Sequence, residues 1–173
     1  MLLCSGIVLF ALANPSPVLA EGAIESLSVM TWNLEWFYDE MTGDNHSQLS
    51  QEKSAPTGEA WAWKRDAVAK RIAEAKPTIV AFQEVENRRV LWYLTRALDR
   101  DFSVDYRESC LEGKDFFTEQ DVGILYRNPA DLLVHSQMDR SESQTRDKRF
   151  YDVTKHLMAV FQFPVGDQFE RIS

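Results

Sequence analysis

The sequence predicts an α+β layered fold with helices on the outside of packed sheets. Three observations carry that prediction. Residues 59–76 and 88–98 repeat apolar side chains at the helical period. Shorter runs elsewhere, "FSVDYR", "DVGILYR", "LLVHSQM" and "KHLMAVFQF", read as strands separated by polar turns. Two further apolar runs, "VMTWNLEWFYDE" at residues 29–40 and "IVAFQEVEN" at residues 79–87, end abruptly in polar and acidic residues.

The elements follow in chain order. The first 20 residues, "MLLCSGIVLFALANPSPVLA", contain no charged side chain and end in Val-Leu-Ala before Glu21. They read as a secretory signal peptide cleaved after Ala20, which predicts a secreted or periplasmic protein. The apolar part, residues 2–13, is too short to span a hydrocarbon core of about 30 Å, so no stable membrane anchor is expected after cleavage. Residues 26–34 read as a strand with apolar character on both faces, as in a sheet covered on each side. Residues 38–57, rich in Asp, Asn, Ser and Gln, read as a surface loop. The first helix carries Trp61, Val68, Ile72 and Ala75 on one stripe, and Pro77 stops it. Residues 78–82 form a short buried strand with a polar break at 83–87 behind it. The second helix runs through Val90, Leu91, Leu94 and Leu98. Beyond it come the strand-like runs, the "RNPAD" turn, a charged loop at 139–152 and a last strand entered at 169–173.

With 173 residues, 45% hydrophobic and 27% charged, the chain suits one globular domain with a core. Its formal net charge of −8 excludes holding a polyanion by bulk attraction. A phosphodiester substrate would need a divalent cation or a local basic patch. Removal of the leader takes Cys4 with it and leaves Cys110 alone, so no internal disulfide is expected. Cys110 reads as a partly buried spectator.

The chemistry concentrates at the strand ends, where a rigid scaffold holds side chains at a rim. A carboxylate ending a buried strand, as Glu84 does, is costly unless hydrogen-bonded, paired or bound to a cation. A hard cation such as magnesium uses one or two carboxylates with water and substrate phosphate. The alternative for Glu84 is an acid at the start of the following helix. Asn33 is placed to orient a carboxylate, water or substrate oxygen without adding charge, or simply closes a turn. Trp32, Trp36 and Phe37 suit either stacking on a base or sugar or core packing. Asp121, opening a strand, is either a substrate-binding rim residue that orients a catalytic group or an acid turned to solvent.

In this order "TWNLEWF" at 31–37, "FQEVEN" at 82–87 and "DVGILYR" at 121–127, with "KRDAVAKRIAEAKP" feeding into "TIVAFQE", resemble the first half of the endonuclease/exonuclease/phosphatase superfamily. That family comprises metal-dependent phosphodiesterases similar to deoxyribonuclease I. The resemblance covers residues 27–163 and makes 21–173 the N-terminal part of such a domain. It implies a four-layered α/β sandwich of two packed, mainly antiparallel sheets flanked by helices. It implies Glu84 as ligand of Mg2+ or Mn2+ and Asn33 as a catalytic residue organising metal and scissile phosphate. Lys155 falls where a phosphate-contacting base often stands in the family, the alternative being a solvated strand-start lysine.

The family also needs a strand with a catalytic His, an Asp-x-Asn motif and a terminal Asp-His pair. No such stretch is readable. The histidines, His46, His135 and His156, are none of them preceded by Asp. The resemblance therefore implies a partial sandwich missing its C-terminal strands, a fragment inactive by itself. The resulting expectation is the N-terminal portion of an exported, divalent-metal-dependent phosphodiesterase or nuclease acting on a phosphodiester, nucleic acid among the candidates. Two alternatives stay open: a phospholipid or inositol-phosphate member of the superfamily, and a non-catalytic binding or interaction protein.

Overall fold

A computed structural model describes residues 27–113, 117–136 and 157–173. The expected leader, Lys155 and His156 lie outside the described residues. The chain runs β1 (Val29–Phe37), a 3-10 turn (Thr42–Asp44), α1 (Gln48–Lys53), α2 (Gly58–Ala75), β2 (Ile79–Val85), α3 (Arg88–Phe102), β3 (Arg107–Leu111), β4 (Asp121–Tyr126), β5 (Asp131–Ser136), β6 (Met158–Val165) and β7 (Gln168–Ile172). It is an α+β fold. A four-stranded sheet has the order β1-β2-β4-β3 and a three-stranded sheet the order β5-β6-β7. β1 and β2 are parallel and the other pairs antiparallel.

Alternation along β2 and β4 explains the layering. Val80, Phe82, Val85 and Leu125 face the helices, where they pack with Trp61, Val68, Ile72, Val90, Leu91, Leu94 and Leu98. Ile79 and Ile124 face the other way and meet Phe161 and Ala130 in a smaller cluster beneath the second sheet. Ser109 Oγ and His135 Nδ1, 2.7 Å apart, tie the two sheets together. Helices, sheet and sheet thus make three layers among the described residues. The second sheet carries much of the exposed apolar surface, with Val134, Met158 and Phe169 open to solvent. β6 and β7 join through Gly166 and Asp167, where Gly166 takes φ 59°, a conformation that glycine reaches without a Cβ penalty.

The helices are delimited by local chemistry. Thr57 Oγ1 accepts from Ala60 N at the start of α2. Asn87 Oδ1 accepts from Arg89 N and Val90 N at the start of α3; such caps satisfy donors that have no partner inside the helix. At the end of α2, Lys76 turns left-handed and Arg127 donates to the carbonyls of Lys76 and Pro77. The stripe of α2 buries Ala73 rather than the expected Ala75.

Several boundaries differ from expectation. β1 continues to Phe37 and β2 to Val85, through residues that read as polar breaks, because the two strands go on pairing beyond their apolar segments. The segment 38–57 is not a plain surface loop: it holds a 3-10 turn and α1, and buries Asp39, Asn45 and Ser50. "FSVDYR" is not a strand. α3 runs on to Phe102, Val104 and Tyr106 bury in the helix-side core, and β3 starts at Arg107.

Candidate functional site

Because β1 and β2 are parallel, their C-terminal ends lie at the same end of the sheet, with Asn33 in register with Gln83. β4 is antiparallel to β2, so its first residue, Asp121, comes to that end as well. Past Asn33 the regular ladder fails. Phe37 next pairs with Val85, so β1 carries more residues than its partner over this step. β2 likewise sets Gln83 and Val85 against the adjacent Val122 and Asp121, leaving Glu84 as the extra residue. Bulges of this kind re-aim side chains.

The bulges have a backbone cost. Glu35, Trp36 and Glu84 take φ values of 48°, 60° and 62°, each in the left-handed region that disfavours L side chains by roughly 1–2 kcal/mol. Three such residues at one end of a sheet constitute stored strain of the type that accumulates where function demands a particular geometry.

Side-chain bonds hold the arrangement. Asn33 Nδ2 donates to Glu84 Oε1 at 2.8 Å, and Glu35 N donates to Asn33 Oδ1 at 2.9 Å. Among the described residues Glu84 accepts a hydrogen bond from Asn33 alone, and its side chain is half-buried. Lys64 of α2 reaches over and donates to the carbonyl oxygens of Glu35, at 2.9 Å, and Trp36, at 2.6 Å. Burial pushes the Lys64 ammonium below its ordinary pKa, while the Glu35 and Glu84 carboxylates pull it back up. Gln83 Nε2 donates to Thr31 Oγ1 at 3.2 Å and extends the polar strip along the sheet.

The aromatics divide. Phe37 is fully buried against Trp61 with ring centroids 4.8 Å apart, which removes it from any stacking role. Trp32 leans partly buried on the same core. Trp36 remains half-exposed, edge-on to Tyr38 and 5.6 Å from Lys53 Nζ.

Asp121 is buried and accepts from Gly113 N at 2.6 Å, which corrects the picture of a strand-edge acid turned to solvent. It lines a separate cavity of about 740 Å³ together with Asp44, Glu86, Arg89, Glu112 and Glu119. The wall of that cavity is an ion network. Arg89 donates to Asp39 at 2.9 Å and to Asp44 at 2.8 Å. Glu86 accepts from Asp39 N at 2.9 Å and from Asn45 Nδ2 at 3.0 Å. Burial first, then the nearby Asp39 and Asp44 charges, raise the Glu86 carboxyl to about 7 against the hydrogen bonds it accepts. Glu119 accepts from His46 N and Ser47 N at the entry to α1, fixing that segment to the strand end. Cys110 donates to Val122 O, and burial together with Asp121 and Glu112 pushes its thiol up to about 12, an unreactive state.

Sequence reasoning found Asn33 and Glu84, which the structure brings into contact, and missed Lys64, Glu35, Asp39, Glu86 and Arg89. A signal for Lys64 was present: it stands three residues after Trp61 and four before Val68, on the stripe that faces the sheet. The Arg89 network had none, since its partners lie in a different segment.

A magnesium or manganese ion fits the donor set in one manner only. Among the described residues no group of three or more His, Cys, Asp and Glu is arranged to enclose a metal. One half-exposed carboxylate oriented by an amide suits an octahedral cation that keeps water and takes further oxygens from substrate.

No family model matches the chain, and no curated protein does. Among solved structures the chain is similar to TDP2 from Caenorhabditis elegans, with 16% identity and a TM-score of 0.45 over 84% of this chain and 33% of that one. A functionally unknown conserved protein from Enterococcus faecalis V583 matches with 16% identity and a TM-score of 0.45, over 84% of this chain and 50% of that one. ANGEL2, described as a 2',3'-cyclic phosphatase in complex with adenosine-2',3'-vanadate, matches with 13% identity and a TM-score of 0.43, over 85% of this chain and 38% of that one. The chain thus spans a third to a half of the length of these solved structures.

Proposed function

We propose that the chain supplies the cation-binding rim of a divalent-metal-dependent phosphodiester hydrolase of the endonuclease/exonuclease/phosphatase type, acting after export. The observation that carries the reading is the Asn33–Glu84 pair, held at 2.8 Å on bulged, left-handed backbone at the end of two parallel strands. Left-handed backbone at a carboxylate-bearing rim residue is the kind of strain that clusters at functional sites. The quoted motifs at 31–37, 82–87 and 121–127 support the same reading.

The division of labour follows from the residues. Glu84 offers carboxylate oxygen to Mg2+ or Mn2+, and such an ion, when bound, polarises a phosphoryl oxygen. Asn33 fixes the carboxylate through Nδ2, and its Oδ1 is held by Glu35 N. The acidic chain repels a polyanion on its own, so a cation at Glu84 is also what permits phosphate to approach. None of the described residues stands at this pair as a general base or as a proton donor to a leaving group. The Lys64 ammonium, which feels the Glu84 charge, is committed to two carbonyls. The expected behaviour of this pair is cation binding, with hydrolysis requiring further groups.

Titration of the chain with Mn2+, beside Glu84→Gln, tests the reading, with hydrolysis of a generic phosphodiester and of plasmid DNA measured in magnesium and in chelator. Loss of the Mn2+ site in Glu84→Gln supports it. Equal binding by both proteins removes Glu84 as the ligand, and metal-dependent hydrolysis by the chain alone overturns the claim that further groups are needed.

A further inference from the structure

Lys64 is connected to Glu84 through hydrogen bonds that pass by way of the Glu35 main chain and the Asn33 amide. Its Nζ donates to the Glu35 carbonyl at 2.9 Å and to the Trp36 carbonyl at 2.6 Å. The Glu35 N–H donates to Asn33 Oδ1 at 2.9 Å, and Asn33 Nδ2 donates to Glu84 Oε1 at 2.8 Å. Lys64 therefore grips the peptide planes on the C-terminal side of both Glu35 and Trp36, the two left-handed residues of the β1 bulge. Left-handed backbone at a non-glycine residue persists only when its surroundings over-determine it. Among the described residues β1 lies at the edge of its sheet, with a strand on one side only. The Tyr38 N–H holds the Trp36 carbonyl at 2.8 Å, and two charge-assisted bonds from the half-buried Lys64 ammonium add the constraint on the Glu35 side.

The consequence falls on an amide. The Asn33 side chain presents an acceptor on one side and donors on the other, and only one orientation satisfies both Glu35 N–H and the Glu84 carboxylate. We propose that Lys64 is a positioning residue: by pinning the Glu35–Trp36 bulge it sets the orientation of the Asn33 amide, and through it the carboxylate oxygen that Glu84 presents to a divalent cation. The proposal rests on the reading of Glu84 as a cation ligand. It is distinguishable from a plain charge effect by sign. A positive charge near Glu84 repels an incoming cation, so removal of the charge alone would tighten binding, whereas loss of positioning weakens it.

The test uses the 173-residue chain and its Lys64→Met, Lys64→Arg and Glu84→Gln variants, with Mn2+ affinity read by water-proton relaxation and, without metal, the Asn33 side-chain amide and Glu35 N–H followed by NMR. Lys64→Met is expected to weaken Mn2+ binding about tenfold or more, as loss of an outer partner of a ligand does. It should also speed exchange of the Glu35 N–H and shift the Asn33 amide toward that of a free side chain. Lys64→Arg, which keeps the donors, should recover most of each signal. Equal or tighter Mn2+ binding by Lys64→Met, or an unchanged Asn33 amide, overturns the proposal. Should Glu84→Gln bind Mn2+ like the parent, the cation reading fails separately, and the amide signals then decide the positioning claim alone. If Lys64→Met loses its folded spectrum, Lys64→Gln, with a neutral donor, is read against the same outcomes.

Discussion

Asn33 and Glu84 are 51 positions apart in the chain and meet at 2.8 Å on neighbouring strands, the amide donating to a carboxylate whose own backbone is left-handed. Backbone strain and the proposed cation ligand therefore fall on one residue. Glu84→Gly should relieve the left-handed cost and leave the protein equally stable or up to about 1 kcal/mol more stable, while abolishing the Mn2+ site. Urea unfolding alongside Mn2+ titration checks both halves. A Glu84→Gly protein destabilised by more than about 1 kcal/mol would sink the idea that the backbone there is held against its preference.

Glu86 predicts a pH dependence of stability. Its carboxyl, ordinarily near 4.5, sits at about 7 in the folded chain. The folded state thus binds this proton more tightly than the unfolded state. The contribution to stability is full below 4.5 and is lost as pH rises through 7. At about 1.36 kcal/mol per pH unit, that loss is on the order of 3 kcal/mol. Denaturation at pH 5 and pH 8 should show the wild type losing more stability than Glu86→Gln over this interval; parallel curves for the two proteins would refute the assignment.

Arg89 joins Asp39, which is fully buried, to Asp44 and to the start of α3. Arg89→Met leaves a buried carboxylate without its cation, and breaking such a pair typically costs about 3–5 kcal/mol. The expected result is a large drop in the urea midpoint. A loss under about 1 kcal/mol would mean the network is solvated rather than structural.

Gly123 lies where a Cβ would stand 2.3 Å from Leu91 Cδ1, inside the closed core between α3 and β4. Gly123→Ala is expected to destabilise by about 1–3 kcal/mol through overpacking. The double variant with Leu91→Val should lose less than the sum of the single changes, because the smaller side chain clears the added methyl. Strict additivity in thermal unfolding would argue against the contact.

The fold class was readable because it depends on periodicity. Val90, Leu91, Leu94 and Leu98 mark one face of α3, and the run at 79–82 marks a strand, irrespective of what each touches. The rim pair was readable for a related reason: an apolar run that ends in an acid advertises an edge. What could not be read depends on partners remote in the chain. Asp39 and Asn45 have loop composition, yet they are buried because Glu86 and Arg89 satisfy them. The "FSVDYR" run alternates like a strand, but Val104 and Tyr106 bury against the helix layer while Ser103 ends α3 in a left-handed turn. Lys64 lies between: its place on the helical stripe was visible, and the carbonyls it reaches for were not.

The parallel pairing of β1 with β2 has a consequence for synthesis. Antiparallel neighbours are joined by a short turn and can zip as they emerge, but parallel strands need a long crossover between them, here the 3-10 turn, α1 and α2. On the ribosome, Asn33 therefore emerges with its strand ungated by any partner and waits for Val85 to clear the exit before it finds Glu84. The rim pair is completed when the second strand docks beside the first, and a nascent chain that ends before Glu84 carries Asn33 without its partner.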